Sequence, residues 1–152
     1  MKRFLLGILL CLCTATFAHA QTTDFDRFVD MDGVTSVYVS KAMFDMMSDM
    51  QPGGLDLKGI INKLESLQVL SSEKSSVIEK MKNTARHALT RSNGYETLVR
   101  IHDNGEDTDI YQKKHGDKLN EFIVVTQEKK EFTVILITGR LDRDDLKGMI
   151  HQ

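Results

Sequence analysis

Two segments near the carboxy-terminal end constrain this chain more than anything else in it: Phe122-Ile123-Val124-Val125 and Phe132-Thr133-Val134-Ile135-Leu136-Ile137. Strand formers that are apolar at nearly every position, rather than at alternate ones, must be covered on both faces or lie at the centre of a sheet. The polar stretch Gln127-Glu128-Lys129-Lys130 places a turn between them, so the spacing predicts strands over 119–126 and 131–138. Two more strand segments come before, 95–102 and 107–113, with Asn104-Gly105 supplying the chemistry of a tight hairpin turn. From Tyr95 onward the chain reads as four successive strands.

The first half alternates between periods. Residues 24–30 form a short amphipathic stripe of Phe25, Phe28 and Val29, ended by Asp32-Gly33. Residues 34–40 are β-branched and strand-like, with Val37 and Val39 on one face and Tyr38 on the other. The period then becomes helical over 41–50, until Gln51-Pro52-Gly53-Gly54 stops it. A second helical pattern over 55–64 carries Leu57, Ile60, Ile61 and Leu64 and is weakened by Gly59; residues 65–70 alternate, with Leu67 and Val69 expected inward. Ser71 and Ser72 are placed to cap a long helix to about Ser92, whose apolar face is Val77, Ile78, Met81, Ala85, Ala88 and Leu89 and which Asn93-Gly94 closes. Asp142 and Asp145 resemble a capping pair that opens a short terminal helix through Leu146 and Met149. Helices interspersed with two strands, followed by four strands, argue for a single α+β domain: a largely antiparallel sheet of five or six strands with helices packed on it.

At the amino terminus Lys2 and Arg3 precede an uncharged apolar run from Phe4 to about Phe17, and Ala18-His19-Ala20 sets small residues where a signal peptidase reads. This three-part pattern predicts a secretory signal over residues 1–20, cut before Gln21, and a folded domain over 21–152. The run falls short of the roughly 20 residues that span a bilayer, so no transmembrane anchor is expected after processing. Cys11 and Cys13 each follow a leucine, where a lipid-anchor motif needs a small residue, so a lipid anchor is not expected either. Cleavage takes Lys and Arg from 20 to 18 against 22 Asp and Glu, for a net charge of −4, and removes both cysteines. No disulfide and no thiol nucleophile then remain in a periplasmic or secreted protein. The acidic balance, without a basic stripe, gives no footprint for nucleic acid.

Taken together, the Phe-rich first helix, Val37-Tyr38-Val39-Ser40 leading into Met43-Phe44, Leu67-Gln68-Val69-Leu70 before the long helix, and Ile135-Leu136-Ile137-Thr138-Gly139 leading into Asp142, Asp145 and Leu146 form a recognisable pattern. It resembles the exported domain of unknown function 4252 family of Bacteroidetes, over nearly the whole mature chain. The resemblance implies an exported single domain and brings no activity and no catalytic residues with it.

Candidate chemistries are few. Asp103, Glu106, Asp107 and Asp109 suggest a calcium loop, but a loop begun at Asp103 puts Gly105 at the second ligand and Lys114 where a bidentate glutamate belongs, so a solvated hairpin tip explains them better. Met43, Met46, Met47 and Met50 bring thioethers onto adjacent turns of one helix. Core packing against the sheet is one explanation, an adaptable apolar binding groove another, and a Cu(I) site a third that lacks a nearby histidine or cysteine. Of the histidines, His87, His115 and His151 are expected in solvent, while His102 beside Asp103 is the one placed for acid-base work. No Gly-x-Ser-x-Gly elbow and no phosphate loop occurs.

The expectation is a non-enzymatic exported domain that needs no cofactor and binds a protein, peptide or apolar ligand. Its binding residues would be Met43, Met46, Met47 and Met50, or apolar surface on strands 122–137. The alternatives are an envelope hydrolase whose site is assembled only in three dimensions and an oligomerising structural domain built on those same strands.

Overall fold

The computed structural model describes residues 23–48, 58–116, 119–142 and 144–145. A 3-10 turn at Asp26–Phe28 leads into β1 (Thr35–Ser40), α1 (Lys41–Ser48), a single helical turn α2 (Lys58–Ile61), β2 (Leu64–Ser72) and the long helix α3 (Ser75–Ala88). Four strands follow: β3 (Glu96–Asp103), β4 (Glu106–His115), β5 (Leu119–Gln127) and β6 (Phe132–Gly139). They form one six-stranded antiparallel sheet in the order β1-β2-β6-β5-β4-β3. The expected α+β class and antiparallel sheet are what the chain adopts. The signal segment 1–20, Met50, Pro52 and the helix beyond Asp145 lie outside the described residues.

β5 and β6 take the middle of the sheet, as their unbroken apolar character requires. Directly opposite residues in antiparallel strands share a face, so the register sorts the sheet into rows. On one face run Leu70, Val134 and Val125, then Leu136 with Ile123, then Phe132. α3 lies over these rows with Val77, Met81 and Leu89, and the amino-terminal turn adds Phe25 and Phe28. Leu70, Met81, Ile123, Val134 and Phe28 are wholly buried, each side chain contributing about 1.5–3 kcal/mol through removal of apolar surface from water.

Several local expectations need correction. Leu70, not Leu67 or Val69, faces the helix layer, because consecutive apolar residues on β2 serve both faces and their alternation does not say which is inner. Ser71 and Ser72 belong to β2, and α3 begins after Lys74 without a side-chain cap. Ser72 Oγ donates to Gly33 O at 2.6 Å and accepts from Lys74 N at 3.2 Å, so it ties the strand end to the turn before β1. Of the helical pattern over 55–64, residues 55–57 lie outside the described residues, Lys58–Ile61 form α2, and Leu64 belongs to a strand instead.

Turn chemistry follows the sequence closely. Asn104 and Gly105 have φ of 50° and 83°, the left-handed pair that a tight hairpin between twisted strands demands. Asn93 Nδ2 donates to the carbonyls of His87 and Ala88 at 3.0 Å, closing α3 before left-handed Gly94. Asp142 and Asp145 cap reciprocally, each backbone N–H donating to the other's carboxylate at 2.9 Å. Gly139 marks a close approach: a Cβ there would lie 2.6 Å from Lys63 O, which already accepts from Arg140 N at 2.8 Å.

Candidate functional site

The face of the sheet away from α3 carries a continuous array of incompletely buried apolar residues. One row crosses all six strands as Val37, Val69, Ile135, Val124, Ile110 and Val99. None of these is buried to core level; five are half-buried and Val37 is 49% exposed. The adjoining row is Thr35, Ser71, Thr133, Thr126, Thr108 and Ile101, uncharged and β-branched save one serine. The third row, Val39, Leu67, Ile137 and Phe122, is the covered end: Phe122 is 1% exposed, and Phe44, Ile61 and Leu141 are also buried outside the α3 cluster.

The candidate methionines divide on the structure. Phe44 is the residue α1 buries; Met47 is half-buried; Met43 and Met46 point to solvent, 47% and 66% exposed. Core packing therefore does not account for Met43 and Met46. Met50 lies outside the described residues. With Val37, Tyr38 and Ile101, these two complete the large apolar side chains that the described part of the chain leaves exposed.

On the α3 side, the rows change character as they leave the helix. Val125 continues into Asp109 and Arg100, and Gln127 into Asp107 and His102, so beyond β5 the helix face of the sheet becomes charged. A groove of about 450 Å³ runs between this strip and the flank of α3, with Leu89, Val125 and Phe132 as its apolar lining and Lys82 and Arg86 on the helix side. Arg100 Nε donates to Asp109 at 2.8 Å, and that bond raises the Arg100 pKa further. Desolvation, followed by the charge of Asp109, raises the Tyr111 phenol above its usual range. His102 Nδ1 pairs with Asp107, across the hairpin, and not with its sequence neighbour Asp103. The imidazole side chain is 73% exposed and its partner 51%, so this is a pair at the groove's rim and not a buried base. Among the described residues, no group of three or more His, Cys, Asp or Glu is placed to hold a metal. Asp103, Glu106 and Asp107 sit exposed around the hairpin tip, as turn chemistry alone requires.

One polar cluster escaped the sequence reading. His115 ends β4 with its side chain 15% exposed, and its Nε2 lies 2.9 Å from Glu121 Oε2, while Tyr95 OH donates to Glu121 Oε1 at 2.6 Å. Glu121 is 5% exposed and has both oxygens engaged. Burial first, then the bond to Glu121, pushes the Tyr95 phenol far above its ordinary pKa, so it remains a donor at any physiological pH. The signal was the alternation on β5, which points Glu121 to the same side as Ile123; a buried carboxylate needs donors, and the adjacent strand end and helix exit supply them.

Comparison with known proteins adds family and little else. The family model "Domain of unknown function (DUF4252)" matches residues 25–149. No curated protein matches the sequence. Among solved structures, the protein of unknown function PA94 from Pseudomonas aeruginosa is similar at 11% identity over 77% of this chain and 74% of that chain, with a TM-score of 0.33, too low to carry an argument. Among the described residues, no helix is long and apolar enough to cross a membrane.

Proposed function

The chain belongs to the DUF4252 family, and from that premise we propose that it is an exported, non-enzymatic binding domain whose docking surface is the open face of the sheet. One observation carries the reading: six aliphatic residues form an unbroken row from Val37 to Val99, half-buried or exposed, on the side away from the helix layer. Contiguous apolar surface of that kind marks a site of association. Exposed Met43 and Met46 support it, since unbranched thioether side chains adapt to varied apolar partners. The occupant by this chemistry is an apolar polypeptide segment or an apolar small molecule.

Nuclear magnetic resonance titration with an apolar fluorophore tests it. Shifts gathered at Val99, Ile110, Val124 and Ile135 are the expected result; shifts confined to the groove beside α3 overturn it. Export has its own test, the mass of the protein from its native host, with an amino terminus at Gln21 expected and an intact Met1 refuting it.

A second reading, an envelope hydrolase, has the His102–Asp107 pair at a groove in its favour. It ranks second because both side chains stand in water, where a carboxylate orients an imidazole weakly, and because none of the groove's lining residues is a serine, threonine or cysteine. Hydrolysis of model esters or peptides that disappears in His102→Ala would promote it.

A further inference from the structure

We infer that β1 pairs with β1 of a second copy, antiparallel about a two-fold axis at Tyr38, joining two sheets into one of twelve strands. β1 is an edge strand: it pairs with β2 on one side, and its other side has no strand partner among the described residues. Its sequence, Thr-Ser-Val-Tyr-Val-Ser, has neither charge nor proline, the devices by which edge strands avoid pairing. More specifically, Ser36-Val37-Tyr38-Val39-Ser40 is a palindrome. A two-fold axis needs a self-complementary surface, and an antiparallel pairing centred on Tyr38 sets Tyr38 opposite Tyr38, Val37 opposite Val39 and Ser36 opposite Ser40. Every residue meets its own kind.

The faces also agree. Residues directly opposite share a face, so Tyr38, 64% exposed, meets its counterpart on the helix side, where aromatic pairs add to strand association. On the open side, the row ending at Val37 runs into the row beginning at Val39 of the second copy, and the apolar surface continues across the junction. Assembly stops at two copies, because the opposite edge, β3, carries Glu96, Arg100, His102 and Asp103 and a register break between Thr97 and Val99.

Sedimentation of the folded chain is the direct test, with a species of twice the chain mass expected. Tyr38→Lys and Tyr38→Glu each place like charges opposite one another and are expected to weaken pairing roughly tenfold, while an equimolar mixture of the two recovers the paired mass. A strict monomer at high concentration, a Tyr38→Lys chain that pairs unchanged, or a folded mixture that stays single overturns the proposal. Should a Tyr38 variant lose its circular dichroism, hydrogen exchange in the unaltered chain serves: the outward amides of β1 are expected to be protected when concentrated and to open on dilution, and amides open at every concentration refute it. Ile101→Glu, on the open face and remote from β1, is expected to leave the mass unchanged, so this inference and the docking reading can fail separately.

Discussion

The two edges of the sheet are opposites. β1 offers six uncharged residues in regular register, whereas β3 is interrupted by a bulge and studded with Glu96, Arg100, His102 and Asp103, two of them tied across to Asp109 and Asp107 on β4. One edge is closed against further pairing and the other is left open. A protein that blunts one edge thoroughly has the means to blunt both, so the bare strand is a feature of use. The difference also sets the outcome of association: one open edge gives a closed pair, and two would give a fibre.

That contrast can be broken most dramatically by making β3 resemble β1. Replacing Glu96, Arg100, His102 and Asp103 together with threonine or valine is expected to turn a finite particle into a growing one, seen in light scattering as an apparent mass larger by about an order of magnitude or more. A particle of unchanged size would show that the charges are not what closes that edge.

The next effect is in stability. β1 is held through β2, and β2 is fixed to the core by Leu70, at 0% exposure. Leu70→Ala is expected to cost about 3 kcal/mol in urea unfolding and to release the β1 amides to exchange before those of β4 and β5. Ile101→Ala at the other edge, where half the side chain is in water, is expected to cost about 0.5 kcal/mol or less.

The smallest effect is electrostatic. Lys63 Nζ holds Asp145 at 2.7 and 2.9 Å, binding the entry to β2 to the exit from β6. The bond to Lys63, and then the backbone bond with Asp142, hold the Asp145 carboxyl below its ordinary pKa, while the bond to Asp145 raises Lys63. The carboxylate's contribution to stability is thus complete above the unfolded value of about 3.9 and is lost as pH falls through the lower folded value. The lysine's is complete below about 10.4 and is lost as pH rises through its higher folded value. Asp145→Asn is expected to flatten the acid limb of a melting-temperature profile; an unchanged limb would exclude the pair as a contributor.

Much of this was legible in the chain. The hairpin at Asn104-Gly105, the apolar stripe of α3, the Asp142 and Asp145 cap and the central position of 122–137 rest on chemistry between residues close in sequence. The order of strands does not: β6 lies between β2 and β5, and nothing local in Leu64–Ser72 names a partner about sixty or more residues away. The same holds for side-chain roles. His115 looks like a turn residue until Glu121 is seen facing it, and His102 finds its carboxylate across the hairpin. Which residues of the 41–50 helix turn inward is likewise not legible, since Phe44 takes the buried position and leaves Met43 and Met46 outside.

The placement of β6 has a consequence for how the molecule comes into being. Until residues 132–139 are present, β1 with β2 and β3 with β4 and β5 are two separate ribbons with unsatisfied borders, with no strand pairing between them. That strand is the keystone, so the sheet closes only once residues 132–139 have been delivered, and truncation before them leaves two ribbons that share no common sheet.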